Sequence, residues 1–347
     1  MGSENRIAVW AVTPNGAALA GRLADALGQA DVFATERLVS LPASAVRFSS
    51  LTEAVAANFR RYSGHVFIMA TGIVVRMVAG LLISKIEDPA VVVVDDRGTF
   101  AISLLSGHLG GANRLAGQVA AAIGAQPVIT TATDVNAVPA IDLLAAELGL
   151  KIENPRAIKT VNMALLSGSA VEVHDPFGIL VGRLPHATAL DSSGLEAPAR
   201  VFVDDRLAKI PAGALILRPA SLVAGIGCNR NTQSAEIRKL LFDTLEASGL
   251  ARASLGRLAS VDLKADESGL AALAEELALP LDFFDREQIG AVENAVPNPS
   301  AAVAKHIGVK SVCEATAILA ARGGTLIVPK RSTPNATVAI ARIGFTS

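Results

Sequence analysis

Two runs of the sequence limit the fold more than any other feature. "HVFIMA" (65–70) and "AVVVVDD" (90–96) are continuously apolar where they read as strands. A strand with one wet face alternates apolar and polar residues. A run apolar at every position is buried on both faces, as in a parallel sheet covered by helices on each side. The neighbouring segments supply those helices. "RIAVWAV" (6–12) and "QPVITT" (126–131) read as further strands. "NGAALAGRLADAL" (15–27), opening after Pro14, and "GANRLAGQVAAAIG" (111–124), stopping at Gly124, have helical periodicity. This β–α–β rhythm predicts a mostly parallel sheet with helices on both faces.

The texture changes near Val138. The stretch to Pro219 includes turn-rich segments, "HDPFG" and "LPHATALDSSGLEAPAR", with one helix expected near 155–167. Alternation then restarts. "SLVAGIG" (221–227) reads as a strand entering a glycine turn. "TQSAEIRKLLFDTLEASG" (232–249) reads as a helix with Thr232 as N-cap and Gly249 as its stop. "ASVDLK" and "PLDFFD" read as strands, "VCEATAILAARGG" as a helix, and "GTLIVPK" and "ATVAIARI" as two closing strands. The expectation is an α/β chain in which two open, mostly parallel α/β domains (1–138 and 220–347) are joined by a small α+β middle domain (139–219).

Composition removes several functional classes. Lys plus Arg is 31 against 32 for Asp plus Glu, and no basic run occurs, so nucleic acid is not an expected partner. Mean hydropathy is +0.45, yet no uninterrupted apolar run approaches the ~18 residues of a spanning helix. The N-terminus lacks a basic region followed by an apolar one, and the expectation is a cytoplasmic protein with no membrane partner. Two cysteines, Cys228 and Cys313, cannot build a disulfide framework or a four-cysteine zinc site. The five histidines show no H-x-x-x-H spacing, so no protein-bound metal is expected. No G-x-S-x-G elbow and no P-loop occurs.

Four stretches carry candidate chemistry. From Gly98 to Thr133 the only formally charged residue is Arg114. "SGHLGG" (106–111) sits there between a strand and a helix. Backbone N–H groups at a helix start suit a carboxylate or phosphate, the glycines allow close approach, and His108 suits a general base. The plainer reading is a glycine turn with a surface histidine. "ATGIVVRMVAG" (70–80) places Thr71 and Gly72 at a strand-to-helix passage with Arg76 one turn in, or Thr71 is simply an N-cap. "SKIEDPAVVVVDDRG" (84–98) offers Lys85, Asp88, Asp95 and Asp96, or Asp95–Gly98 is a hairpin turn. "GIGCNRNT" (225–232) is half of a dinucleotide fingerprint without the third glycine, and its Cys228 is either reactive or a small buried filler.

Together these stretches resemble a known family. "ATGIVVR", "KIEDPAVVVVDDRGTFAISLLSGHLGGANRLA" and "ITTATD" are similar to the N-terminal region of the CbiG family of cobalamin biosynthesis. "GIGCNRNTQSAEI", "NPSAAVAKHIGVKSVCEATAILAARGGTLIVPK" and "ATVAIA" are similar to its C-terminal region. The resemblance implies hydrolysis of cobalt-precorrin-5A: water opens a δ-lactone on the tetrapyrrole, C20 leaves with its methyl group as acetaldehyde, and cobalt-precorrin-5B remains. It implies no protein cofactor, because the cobalt belongs to the substrate, and admits other corrin-pathway enzymes as partners. Lactone opening needs an activated water and a stabilised oxyanion. The expected roles are His108 as base, or as a hydrogen-bond partner of a propionate, Asp134 as a second catalytic candidate at the same sheet end, and the amides around Gly110 and Gly111 as oxyanion or carboxylate donors. Thr71, Gly72, Arg76, Lys85, Ser106, Gly107, Asn113 and Thr133 are expected to line the same sheet end and bind substrate. In the C-terminal region Gly225, Gly227, Cys228, Asn298, Ser300, Glu314 and Lys330 match the signature and are candidates for substrate enclosure or packing. A competing reading is a non-catalytic tetrapyrrole carrier. A weaker one, from glycine turns alone, is a nucleotide-binding protein.

Overall fold

The computed structural model describes residues 6–39, 41, 44–84, 87–189, 199–208, 210–297 and 311–345. By compactness the chain divides into two units, Met1–Leu144 and Ala145–Ser347.

In the first unit the elements run β1 (Ile7–Ala11), α1 (Pro14–Leu27), β2 (Ala30–Thr35), β3 (Val46–Phe48), α2 (Leu51–Asn58), β4 (Gly64–Ile68), α3 (Thr71–Val78), β5 (Ala90–Val94), β6 (Phe100–Leu105), α4 (Ala112–Ile123), β7 (Gln126–Val128) and α5 (Ala132–Val135). The sheet order is β3-β2-β1-β4-β5-β6-β7. The two-faced burial expected of β4 and β5 is what forms. Val66, Ile68, Val92 and Val94 point to the face covered by α1 and α4. Phe67, Val91 and Val93 point to the face covered by Val55 of α2, Phe59 just after it, and Val74 and Val78 of α3.

One junction breaks the parallel rule. β1 to β5 are mutually parallel, but β5 and β6 form an antiparallel hairpin, and β7 runs with β6. The turn is Asp95–Gly98. Gly98 has φ +69°, its amide bonds Asp95 O at 2.9 Å, and the Asp95 carboxylate accepts from the amides of Arg97 and Phe100. This is the hairpin reading of that tetrapeptide, and it decides where the next loop lies. Register pairs Leu105 with Val91, at the starting end of β5.

The second unit holds α6 (Ile141–Glu147) across its boundary, then β8 (Leu150–Ile152), α7 (Ile158–Leu166), β9 (Val171–His174), β10 (Ala187–Ala189), β11 (Ala199–Val203) and β12 (Leu215–Pro219), in the order β10-β9-β11-β12-β8. A third sheet follows from β13 (Leu222–Cys228), α8 (Ser234–Ala247), β14 (Leu255–Val261), α9 (Ser268–Leu277), β15 (Leu281–Phe284), α10 (Arg286–Ala291), α11 (Cys313–Ala320), β16 (Thr325–Ser332) and β17 (Ala336–Arg342), in the order β15-β14-β13-β17-β16. Two local expectations are corrected. Gln233 occupies the N-cap of α8, and the Thr232 hydroxyl donates to Asn229 O at 2.8 Å. The strand expected through "ASVDLK" ends at Val261, and Asp262–Lys264 is a single 3-10 turn.

Candidate active site

The loop from Ser106 to Gly111 is built by its glycines. Ser106 itself is left-handed at φ +59°, and Gly111, the N-cap position of α4, has φ +84°. A Cβ at Gly110 would lie 2.3 Å from Ser106 Cβ and 2.8 Å from Ser106 O, so no larger residue fits without moving backbone. At Gly107 a Cβ would meet Asn113 Oδ1 at 2.8 Å. The loop therefore wraps tightly and presents His108 to one small group of side chains.

That group comes from three directions. His108 Nε2 lies 3.1 Å from Asp134 Oδ2 and 3.0 Å from Thr133 Oγ1, both on α5. His108 Nδ1 lies 3.3 Å from Asp142 Oδ2, at the start of α6. Asp142 is buried and Asp134 is partly exposed. Asp134 is fixed in turn by Thr131 Oγ1 at 2.7 Å and Asn113 Nδ2 at 3.1 Å. The imidazole is pushed above the ordinary histidine range, first by its hydrogen bond to Asp142, then by that carboxylate's charge and by the bond and charge of Asp134; burial opposes them.

Asn113 is a buttress. Its amide donates to Thr131 Oγ1 at 2.8 Å and to Asp134, and its carbonyl accepts from Ser103 Oγ at 2.7 Å. The expected pair of oxyanion donors is also altered. The Gly111 amide donates to His108 O at 2.8 Å, and those of Ala112 and Asn113 donate to Ser106 O and Gly107 O. These three amides are committed to the loop's own turn, so Gly111 supplies shape instead of a donor.

Thr71, Gly72 and Arg76 do not join this group. Thr71 follows the finishing end of β4, whereas the Ser106 loop leaves β6 at the starting end of β4 and β5. The two ends are separated by the length of β4, roughly 13 Å at ~3.3 Å per residue. The expectation of one shared sheet end is overturned by the β5–β6 hairpin. Thr71 is the first residue of α3, and Ala70 holds the N-cap position. Arg76 Nη1 folds back onto Gly72 O at 2.9 Å. Asp88 is buried and accepts the Ile83 amide at 3.0 Å, a structural use. Lys85, Asn298 and Ser300 lie outside the described residues.

In the second unit the C-terminal candidates separate by use. Gly225 is a packing residue, since a Cβ there would sit 1.9 Å from Cys313 O of α11. Glu314 is fully buried, and its Oε1 accepts the Lys330 amide at 2.9 Å, at a register shift in β16 between Val328 and Arg331. Gly227, Cys228 and Lys330 line a cavity of about 500 Å³. Burial pushes the thiols of Cys228 and Cys313 upward, so both rest as neutral thiols. Among the described residues no group of three or more His, Cys, Asp or Glu is arranged to hold a metal ion, and no helix is long and apolar enough to cross a membrane.

Sequence reasoning missed Asp142, Thr131 and Ser103. Asp142 lies 34 positions after His108 in an ordinary helix start, "PAIDLL", and only the path of the chain brings it to Nδ1.

The chain matches three family models: "Cobalamin synthesis G N-terminal" over residues 53–134, "Cobalamin biosynthesis central region" over 139–219 and "Cobalamin synthesis G C-terminus" over 222–341. It is 39% identical to the cobalt-precorrin-5A hydrolase of Salmonella typhimurium, over 92% of this chain and 93% of that protein. It is 31% identical to the cobalt-precorrin-5A hydrolase of Priestia megaterium, over 97% of this chain and 95% of that one. The crystal structure of CobE, a protein from the cobalamin (vitamin B12) biosynthetic pathway, is 36% identical, covering 37% of this chain and 93% of its own, with a TM-score of 0.35. His108 and Asp134 fall in the N-terminal match, and Asp142 falls in the central one.

Proposed function

This chain belongs to the CbiG family of cobalamin biosynthesis, and from that premise we propose that it hydrolyses cobalt-precorrin-5A and that the His108 cluster carries the proton transfers. The activity rests on near full-length similarity to two cobalt-precorrin-5A hydrolases, and nothing in the comparisons favours the carrier alternative. The assignment to His108 rests on one observation: both ring nitrogens face carboxylates, in a loop whose glycines admit close approach.

The chemistry follows from the two sides of the ring. Asp142 accepts Nδ1–H and so fixes the tautomer that leaves Nε2 as the base. Nε2 takes a proton from water as the water oxygen bonds to the lactone carbonyl carbon. The acyl C–O bond then breaks, and the imidazolium returns its proton to the departing ring oxygen. Asp134, at 3.1 Å, and Asp142 stabilise the imidazolium between those transfers. Loss of C20 as acetaldehyde completes the conversion to cobalt-precorrin-5B. The metal of this reaction travels on the substrate, and the reading asks for no cofactor of the protein's own. It carries with it a cytoplasmic location and hand-over to other corrin-pathway enzymes.

The test is acetaldehyde release from cobalt-precorrin-5A by the full chain. His108→Ala should lower the rate about a hundredfold or more, the scale of lost general-base catalysis.

A further inference from the structure

The "GIGCNRNT" turn has no part in the His108 cluster, yet it opens onto the cavity of about 500 Å³ in the second unit. That cavity lies outside the carboxyl end of β13. On one side of β13 the strands β14 and β15 run parallel to it; on the other, β17 runs antiparallel. The crevice thus lies outside the carboxyl end of a parallel strand, on the side of the sheet edge where open α/β sheets take ligands. Its volume lies within the range of small-molecule pockets, ~300–1,000 Å³.

Four features give it a preference. Gly227 forms part of the wall, and a Cβ there would lie 2.7 Å from Thr337 Oγ1, so the missing side chain keeps the space open. Helix α11 begins at the cavity wall, with Val312 at its N-cap position and no side-chain cap from that residue, so its positive end lies at the wall. Ser311 Oγ, in the same wall, is buried and, apart from its approach to the Cys313 thiol, has no hydrogen-bond partner among the described residues. Lys330 also lines the cavity and makes no ion pair among the described residues, whereas Lys264 across from it is paired with Glu267 at 3.2 Å. A helix start with no side-chain cap, a buried hydroxyl and an ammonium with no ion pair among the described residues together favour an acceptor in this space. The remaining wall is largely apolar, with Val261, Val312 and Ala336.

We propose that this pocket is a second, non-hydrolytic site that binds a carboxylate carried on an apolar ring, and that an acid-bearing edge of the corrinoid is its ligand. The identity of the corrinoid rests on the functional reading above; the preference for an anion rests on the pocket alone.

The experiment is calorimetric titration of the full chain carrying His108→Ala, in which turnover is strongly lowered, with probes that carry no lactone. Cobyrinic acid is the carboxylate probe, cobinamide is the probe whose side-chain acids are amides, and ATP and inorganic phosphate are the phosphate probes. Cobyrinic acid should bind at least about tenfold more tightly than cobinamide, and Lys330→Met should weaken it at least about tenfold, the scale of a lost charged hydrogen bond. Ser311→Ala, a near-isosteric change, should weaken it in the same direction with the melting temperature unchanged. Gly227→Val should abolish binding. The proposal is overturned if cobyrinic acid does not bind, if it binds equally to the folded Lys330 and Ser311 variants, or if phosphate probes bind more tightly through Lys330. Loss of acetaldehyde release by the unmodified chain with Lys330-dependent binding intact would remove the functional reading and leave the pocket.

Discussion

At the residue scale the decisive feature is that His108 is held from both nitrogens. A histidine raised above its ordinary 6.5 is protonated over more of the neutral range, so a base of this kind loses activity as pH falls through its raised value and is active above it. Removing the largest contributor reverses the shift. Asp142→Asn should move the acid limb of the kcat/KM profile toward lower pH and lower the plateau, while Asp142→Glu restores part of both. A profile unchanged in the Asn variant would separate Asp142 from the chemistry. The sequence made His108 and Asp134 legible because "SGHLGGAN" and "ITTATD" are compositionally unusual. Asp142 was not legible, since nothing in "PAIDLL" marks a carboxylate that faces an imidazole.

At the element scale, β4 shows how a polar group is carried inside a run that reads as wholly apolar. His65 is fully buried, accepts from Trp10 Nε1 at 3.1 Å across the β1–β4 pair, and donates from Nε2 to Phe59 O beyond α2 at 3.0 Å. The neutral ring is thereby satisfied at both nitrogens, and burial brings its value down to about 4. The sign is fixed by where the proton binds. The unfolded chain takes it up near pH 6.5 and the folded chain only near 4, so stability falls as pH drops through that window, by about 3 kcal/mol in total. Trp10 is the sole tryptophan, so urea unfolding followed by its fluorescence between pH 7 and pH 4 reads this loss directly. His65→Gln should flatten the slope; an equal slope in that variant would assign it elsewhere. The direction of β6 also belongs to this scale. Strand propensity located β5 and β6 and local chemistry located their turn, but apolar periodicity carries no strand direction. Only pairing shows that the turn reverses the chain and sends His108 to the opposite end from Thr71.

At the scale of the whole molecule, no local sequence pattern marks how the second and third sheets become one unit. Asp205, fully buried after β11, receives Arg342 at the end of β17 through two bonds of 2.6 and 2.7 Å, and the Ser221 hydroxyl between β12 and β13 at 2.7 Å. The adjoining backbone joins in, with Ala251 N donating to Asp205 O and Leu207 N to Gly249 O, both at 2.7 Å. Residues 137 positions apart leave no local pattern to read. Arg342→Met strands a buried carboxylate and should cost about 3–5 kcal/mol in urea unfolding followed by circular dichroism. Adding Asp205→Asn should recover part of it. A single-variant cost under about 1 kcal/mol, the range of exposed pairs, would show that the joint is held by other contacts.

The central question is whether cobalt-precorrin-5A is opened at the His108 cluster. The most direct measurement is the initial rate of acetaldehyde release from cobalt-precorrin-5A by the full chain beside folded His108→Ala. Release by the unmodified chain and a loss of about a hundredfold or more in the variant are expected. Equal release by both would take the chemistry away from His108, and no release by the folded, unmodified chain would contradict the hydrolase itself.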